Sequence, residues 1–592
     1  MFNWFKRSRS IPAKANQVEL DHTEKQIEPI LQHARQYECI NALPEAIDSL
    51  ERILDFDERH VLANLRLGIL KKKLGHPERA VEHLRRVIDE DPEFCEGYYQ
   101  LGTVLLLLDQ VEEAVDCLQM AIHLQPDNAD AYIALIKHRQ AHGDLASALE
   151  LCQQWRDNDP ESALAYYFTG QVLAKLQRIE QAIEPLEKAV ALEPSNLDAL
   201  NNLGYCLVLL DRNEAALEVF NRALRLQPRQ PAILTNMGCA CRNLGRFDEA
   251  LEAFGHVLQA DPSHFWARNS RAQALLSLKR FREGWLDYEA RFQSEPDRFR
   301  TLPFPIWKGE ALAGKTIFIY AEQGLGDEIM FASMLPDIIG QGGSCIIECD
   351  ARLENLFRRS FPKALVVSGK REDLPAGIGT TYPIDFKLPI GSLGRFFRNV
   401  MEDFPQHTGY LQADDDRTAF WKQRLEELGP GLKIGFSWRG GTKRTRTWAR
   451  TISLNELLPI FRTPHAQFIN LQYGNSSEEL NRFKESYELS NLHHWQDAID
   501  DYDETAALVS ALDLVITVCT SIVHLTGALG KPAWIMTPYV PEWRYMVGGE
   551  VLPWYPASRT FRQARAGEWT SVIDAIASEL NMLSKRISPD AL

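Results

Sequence analysis

Residues 197–228 read LDALNNLGYCLVLLDRNEAALEVFNRALRLQP. This pattern recurs along the first half of the chain every 34 residues, and its copies end at Pro92, Pro126, Pro160, Pro194, Pro228 and Pro262. Alanines keep the same spacing at Ala46, Ala80, Ala114, Ala148, Ala182, Ala216 and Ala250, and glycines do so at Gly68, Gly102, Gly170, Gly204 and Gly238. Self-similarity at a constant period of this size indicates stacked copies of one supersecondary unit.

The apolar residues of this stretch recur at helical spacing and predict two antiparallel helices. We expect Gly204 to let the partner helix approach at Ala216, while Phe220 and Ala223 fill the groove between units. Pro228 lacks an N–H group and is expected to end the second helix. A 34-residue unit with small residues at the crossing and a closing proline resembles the tetratricopeptide repeat.

Eight such units fit one unbroken frame from Ile27 to about Phe292. We therefore predict an α-helical solenoid over residues 27–295, preceded by a leader without fixed structure at residues 1–26. A repeat solenoid of this kind presents a concave surface that binds other proteins. Asparagine amides on the first helices can donate to and accept from a peptide backbone. The candidates are Asn201, Asn202, Asn236 and Asn269, a row that resembles the asparagine ladder of O-GlcNAc transferase repeats; a merely polar surface is the alternative.

Composition excludes several classes of function. The net charge of −16 argues against broad nucleic-acid binding, although it permits a local basic pocket for a phosphorylated ligand. The ten cysteines show no metal-ligand spacing, which predicts reduced thiols, a cytoplasmic location and no metal site. No run approaches the roughly 18 apolar residues of a membrane-spanning helix, so we expect no membrane span.

After Phe292 the period ends and short apolar runs alternate with helical stretches. Residues 315–320, 344–350 and 364–368 predict strands of a first α/β lobe over residues 296–412. Residues 433–438, 467–472, 514–518 and 533–537 predict strands of a second lobe over residues 413–592. In parallel α/β units of this kind, ligands bind beyond the carboxyl ends of the strands.

Four segments of this second half resemble a known family. They read EQGLGDEI (322–329), DLVITVCTS (513–521), HLTGALGKP (524–532) and WYP (554–556). Their residues and order resemble heptosyltransferase-type (family 9) glycosyltransferases, and more closely the bacterial proteins that place such a domain behind tetratricopeptide repeats. The resemblance implies a GT-B fold of two Rossmann-like lobes and a metal-independent transfer without a cofactor. It also implies a nucleotide-sugar donor in the second lobe and an acceptor near the first.

Asp327 comes after the first predicted strand, at the start of a helix. In the family, the aspartate of the matching Gly-Asp pair is the proposed base, and the resemblance assigns Asp327 to deprotonation of the acceptor hydroxyl. Transfer with inversion needs a carboxylate opposite the leaving diphosphate. Gln323, Gly324 and Gly326 form the expected acceptor-side loop. A helix-capping aspartate is one alternative; a dinucleotide fingerprint is another, but Ile329 occupies its third glycine position.

The donor side is expected to bind phosphate at two places. Residues 437–446 (SWRGGTKRTR) combine free backbone N–H groups with positive charge, unless they form only a solvated basic loop. A helix that begins at Ser521 offers its N-terminus to an anion. The resemblance adds Arg450 as a phosphate contact, while His524 faces the donor or simply packs. The donor-side candidates are Ser437, Arg439, Gly440, Gly441, Thr442, Arg450, Thr520, Ser521 and His524.

Cys519 departs from the family pattern. Many relatives carry an aspartate at this position, where it is thought to contact the donor sugar. A thiol cannot accept hydrogen bonds as a carboxylate does, so the donor sugar differs or activity is reduced or lost. A reactive thiolate beside the helix N-terminus is a further alternative.

Together these features predict a cytoplasmic glycosyltransferase that moves a sugar from a nucleotide-activated donor to Ser or Thr of a protein captured by the repeats. Flagellin or another surface protein is a candidate acceptor, by analogy with repeat-bearing flagellin glycosyltransferases. One alternative is a non-catalytic scaffold with a degenerate GT-B domain. Another is a transferase that acts on a glycan or a lipid-linked acceptor.

Overall fold

The computed structural model describes residues 17–294, 300–369, 378–380, 382–441 and 446–587. Thr442 of the predicted phosphate loop lies outside the described residues. The chain divides into two compact units, residues 1–228 and 229–592. Helical repeats make up the first unit and open the second, in which they precede two parallel sheets.

Sixteen helices of the described part of the chain follow the 34-residue period in pairs. They are α1 (Gln17–Cys39), α2 (Leu43–Phe56), α3 (Val61–Lys73), α4 (Pro77–Glu90), α5 (Cys95–Leu107), α6 (Val111–Leu124), α7 (Ala129–Ala141), α8 (Leu145–Asn158), α9 (Ala163–Lys175), α10 (Ile179–Leu192), α11 (Leu197–Leu209), α12 (Asn213–Leu226), α13 (Pro231–Asn243), α14 (Phe247–Ala260), α15 (Phe265–Ser277) and α16 (Phe281–Tyr288). The predicted all-helical repeat segment is therefore confirmed. Helix α1 begins at Gln17, so the end of the predicted leader is helical, while residues 1–16 lie outside the described part.

The backbone repeats with the same period as the side chains. The turn between the two helices of every unit contains one residue with a positive φ, between 58° and 79°. These residues are Asn41, Gly75, Asp109, Gly143, Gln177, Asp211, Gly245 and Lys279. The left-handed conformation ends each first helix and reverses the chain. Because five of the eight are not glycine, this feature was not visible in the sequence.

In the five units that carry it, the glycine of the first helix allows two helices to touch. A Cβ atom added to Gly204 would lie 2.3 Å from Cε1 of Phe220, so the Phe220 ring packs directly on the glycine. The sequence placed Ala216 at this contact and Phe220 in the groove. Ala216 is fully buried, but the ring of Phe220 is the nearest group to the glycine.

The first sheet contains four parallel strands among the described residues, in the order β3-β2-β1-β4. The strands are β1 (Thr316–Tyr320), β2 (Ser344–Cys349), β3 (Leu365–Ser368) and β4 (Phe386–Pro389). The helices of this region are α17 (Arg291–Ser294), α18 (Leu325–Ala332), α19 (Leu335–Ile339), α20 (Glu354–Ser360) and α21 (Gly394–Phe397). The predicted strands β1 to β3 are present, whereas β4 was missed.

The second sheet contains six parallel strands in the order β10-β9-β8-β5-β6-β7, again among the described residues. They are β5 (Leu432–Ser437), β6 (Ala466–Asn470), β7 (Leu492–His493), β8 (Leu514–Val518), β9 (Ala533–Thr537) and β10 (Ser558–Arg562). Its helices are α22 (Asp415–Glu426), α23 (Leu458–Phe461), α24 (Ser477–Ser486), α25 (Asp497–Asp500), α26 (Tyr502–Ala511), α27 (Ser521–Ala528) and α28 (Thr570–Ile587). The parallel α/β content predicted for the second half of the chain is confirmed.

Within the second unit, the last repeat shares a hydrophobic core with the first sheet. The buried Trp285 of α16 donates its indole N–H to the carbonyl of Arg398 at 2.7 Å and meets Trp543 edge-to-face. Nearby, Arg291 forms a buried bidentate pair with Glu322, the residue that opens the loop after β1. A buried charge needs such a partner, so this pair holds the loop after β1 in place.

Candidate functional site

A loop after β1 carries the predicted acceptor-side residues. The buried strand β1 ends at Tyr320, and helix α18 begins after its N-cap residue, Gly324. Asp327 lies in the first turn of that helix. The backbone N–H of Gly324 donates to Oδ2 of Asp327 at 3.3 Å. Negative charge is favoured at a helix N-terminus, which explains an aspartate at this position.

Gly326 brings the first turn of α18 against α27, a helix of the second sheet. A Cβ atom added to Gly326 would lie 2.9 Å from Cδ2 of His524 and 3.3 Å from Cα of Ser521. The missing side chain therefore lets Asp327 approach the N-terminus of α27. Two predicted segments that lie nearly 200 residues apart in the sequence meet here.

A cavity of about 1070 Å³ opens at this junction, and we call it the main cavity. Seven predicted site residues line it: Gly326, Asp327, Gly441, Arg450, Thr520, Ser521 and His524. Its lining combines residues that follow β1 in the sequence with residues that follow β5, β8 and β9. Ligands of parallel α/β sheets bind beyond these carboxyl ends.

Four charged side chains form a continuous row of ion pairs along the wall of the main cavity. Arg544 donates from Nε to Oδ1 of Asp327, and its Nη1 lies 3.4 Å from Oε2 of Glu542. Oε1 of Glu542 lies in turn 3.3 Å from Nη2 of Arg450. Burial lowers the pKa of the Arg544 guanidinium, but the charges of Asp327 and Glu542 outweigh burial and raise it. The carboxylate of Asp327 is thereby oriented by a cation that remains charged.

Positive groups gather on the second sheet's side of the cavity. Arg450 is nine-tenths buried and donates from Nη1 to the carbonyl of Cys519 at 3.1 Å. Its guanidinium therefore lies beside the start of α27, where Thr520 caps the helix by accepting from the N–H of Ile522. A guanidinium beside a helix N-terminus is a suitable site for a phosphate group.

His524 is held between two tyrosines. Its Nδ1 lies 2.9 Å from the hydroxyl of Tyr555, and its Nε2 lies 3.2 Å from the hydroxyl of Tyr545. Burial lowers the pKa of His524 to about 3, the charge of Asp327 opposes this shift, and Arg544 and Arg450 add to it. The imidazole is neutral at pH 7 and acts as a hydrogen-bonding group rather than a cation.

We expect His524 to make the folded protein sensitive to acid. Between pH 6.5 and about 3 the unfolded chain binds a proton at this residue and the folded chain does not. The free energy of unfolding therefore falls as the pH is lowered through this window, by up to about 1.4 kcal/mol per pH unit. His524→Gln should remove that contribution, which urea unfolding at pH 7 and pH 5 would measure. The exposed His256→Gln is the control; an unchanged pH dependence in His524→Gln would contradict the assignment.

Three predicted donor-side residues do not line the main cavity. Ser437 is buried and lies 2.5 Å from the hydroxyl of Thr517, and Gly440 packs against Thr520. Arg439 forms an ion pair with Glu479 at 2.6 Å. Of the two arginines predicted to contact phosphate, Arg450 lines the main cavity and Arg439 does not.

The side chain of Cys519 lies in the hydrophobic core. It is 1% exposed and does not line the main cavity. Burial raises the pKa of its thiol to about 12, so the thiol stays protonated at neutral pH. This environment argues against a reactive thiolate, because nucleophilic cysteines have a lowered pKa.

Sequence reasoning missed Arg352, Glu542 and Arg544, which also line the main cavity. Glu542 and Arg544 lie in the segment PEWRY (541–545), between side chains that are buried. A charged side chain between buried aromatic residues needs a partner of opposite charge. The charges of Glu542 and Arg544 were therefore the sequence signal that could have predicted their ion pairs. Arg352, in a short 3-10 helix after β2, carried no comparable signal.

Comparisons with known proteins identify the repeats. Family models described as tetratricopeptide repeat match residues 73–139, 133–195, 170–231 and 231–264. These residues are tetratricopeptide repeats. Protein FlbA of Caulobacter vibrioides is 37% identical over 315 residues, which cover 50% of this chain and 52% of FlbA. The chain thus spans about half the length of this curated relative.

Two solved structures are similar to parts of the chain. Cut9–Hcn1, an APC/C hetero-tetramer, has 19% identity and a TM-score of 0.33, covering 47% of this chain and 55% of that chain. YrrB, a TPR protein with an unusual peptide-binding site, has 18% identity and a TM-score of 0.25, covering 38% of this chain and 97% of that chain.

The predicted peptide-binding asparagines lie on the first helices of three tetratricopeptide repeats. Asn201 and Asn202 are in α11, Asn236 is in α13 and Asn269 is in α15, and all four are half-buried. Asn269 donates from its amide to the hydroxyl of Ser294 at 3.0 Å. These tetratricopeptide repeats therefore carry amide groups on the predicted positions, and such repeats are protein-binding modules.

The described residues contain neither a candidate membrane span nor a candidate metal cluster. No helix in that part of the chain has the length and apolar character that a membrane crossing requires. No group of three or more His, Cys, Asp or Glu side chains there could hold a metal ion.

Proposed function

We propose that the protein is a GT-B glycosyltransferase that moves a sugar from a nucleotide-activated donor to a Ser or Thr hydroxyl of a protein bound by its tetratricopeptide repeats. The main cavity is the observation that carries this proposal. A carboxylate beside the first sheet, Asp327, shares it with Arg450 and the N-terminus of α27 beside the second. Inverting transfer needs a base on one side of the sugar and positive charge on the other.

The proposed step is one displacement. The acceptor hydroxyl oxygen attacks the anomeric carbon of the donor sugar, and its proton passes to the carboxylate of Asp327. The bond between the anomeric carbon and the diphosphate oxygen breaks with its electron pair on that oxygen. Arg450 and the N–H groups at the start of α27 stabilise the departing nucleoside diphosphate, so the proposed transfer is metal-independent.

The tetratricopeptide repeats support a protein as the acceptor. Repeats of this kind commonly bind protein partners, and their family models match residues between 73 and 264 of this chain. The side chain of Cys519 is buried and does not line the main cavity, whereas Asp327 and Arg450, the groups proposed for the transfer, do line it. All ten cysteines are free thiols, which supports a reducing compartment such as the cytoplasm.

Intact-mass analysis of flagellin tests the proposal. Flagellin would be purified from cells of the encoding organism that lack this gene, with and without the wild-type chain supplied in trans. We expect its mass to rise by one or more whole sugar residues when the chain is present. An unchanged flagellin mass together with a changed surface glycan would instead support a glycan or lipid-linked acceptor.

A further inference from the structure

A second cavity, of about 500 Å³, is also lined by Asp327. Helices α13 and α15 of the last repeats form one wall, through Arg242, Asn269 and Gln273. The loop after β1 forms another wall, through the predicted acceptor-side residues Gln323 and Gly324. The second cavity therefore extends from the repeat helices to the proposed base.

The ion pair between Asp327 and Arg544 borders both cavities. Glu542, which pairs with Arg544, lines both cavities as well. Arg450 and the start of α27 line only the main cavity. The proposed phosphate-binding groups and the repeat helices thus line different cavities, and Asp327 borders both.

The repeat wall of the second cavity presents unused amide atoms. Asn269 donates from Nδ2 to Ser294, and its Oδ1 has no hydrogen bond to another described residue. Oε1 of Gln273 accepts from Arg242 at 3.0 Å, while its Nε2 has no bond to another described residue. Asn269 and Gln273 are four residues apart on α15, so an acceptor oxygen and a donor N–H lie on one face of that helix.

We infer that the second cavity is the acceptor subsite and holds an extended polypeptide segment that presents its Ser or Thr hydroxyl to Asp327. A peptide backbone offers one N–H and one C=O per residue, which match the free atoms of Asn269 and Gln273. A folded domain cannot enter a cavity of this size, whereas a segment of a few residues can. The inference rests on the proposed function and adds the route by which the acceptor arrives, through a cavity separate from the one proposed for the donor.

Gln273→Trp tests the subsite because an indole at this position fills the cavity beside α15. We expect transfer to flagellin, measured by intact mass after co-expression, to fall at least tenfold. Affinity for ADP, GDP and UDP, measured by calorimetry, should stay within twofold, because the main cavity is unaltered. Gln259→Trp makes the same change on the exposed face of α14 and should behave as the wild type does.

A milder variant distinguishes loss of the subsite from misfolding of the protein. The double substitution Asn269→Ala with Gln273→Ala creates no steric clash and should raise the KM for flagellin without changing the affinity for nucleoside diphosphates. Wild-type transfer by both Gln273→Trp and the double variant would overturn the subsite and leave the proposed function standing. If the wild-type chain modifies no protein, the proposed function fails and the inference fails with it.

Discussion

Asp327→Asn is expected to lower transfer to a protein acceptor by about 10²–10⁴-fold, which is the usual contribution of a general base. Asparagine has nearly the same shape but cannot accept the hydroxyl proton. Its amide oxygen can still accept from the N–H of Gly324, so the first turn of α18 should persist. Intact-mass analysis of flagellin and calorimetry with nucleoside diphosphates would measure transfer and donor-site binding separately.

The control for this variant is Asp574→Asn on the exposed face of α28. It removes the same charge away from the main cavity and should leave transfer unchanged. Thermal unfolding would show whether the loss of the Asp327–Arg544 pair destabilises the fold. Undiminished transfer by a folded Asp327→Asn protein would exclude Asp327 as the base.

Arg450→Ala should weaken the binding of nucleoside diphosphates by about 10- to 100-fold. A hydrogen bond to a charged group contributes about 1.5–3 kcal/mol, and each 1.4 kcal/mol is a factor of ten in affinity. The substitution also removes a donor to the carbonyl of Cys519, while Glu542 keeps its ion pair with Arg544. Calorimetric titration with ADP, GDP and UDP would measure the loss.

Arg439→Ala is the matched control, because sequence reasoning gave both arginines the same role. The structure pairs Arg439 with Glu479 outside the main cavity. We expect Arg439→Ala to bind nucleoside diphosphates with nearly the wild-type affinity. Equal losses in the two variants would mean that Arg439 contacts the ligand as well and that this assignment is wrong.

Residues of the candidate site could be predicted from the sequence where the backbone geometry requires a particular residue type. Gly326 is a glycine because His524 and Ser521 leave no room for a side chain, and Asp327 comes next, at a helix start. Thr520 and Ser521 open a helix directly after a buried strand, which is a recognisable pattern. The structure places these residues around one cavity.

The partners of these residues were not predictable. Arg544 and Glu542 meet Asp327 and Arg450 only because segments distant in sequence converge on one cavity. The sequence shows that a buried charged side chain needs a partner. Which residue becomes that partner depends on how several helices and strands pack together. For the same reason the side chain of Cys519 could be placed in the core only from the structure.

By itself the sequence determined the repeat half of the protein, with its period and its paired helices, and the parallel α/β character of the second half. Those features depend on contacts between residues that are close in sequence. In the repeat half these contacts recur every 34 residues. The tertiary structure alone decided that Asp327 borders two cavities, that Arg450 rather than Arg439 lines the main one, and that α15 borders the other. Such arrangements depend on contacts between distant residues, which local spacing does not specify.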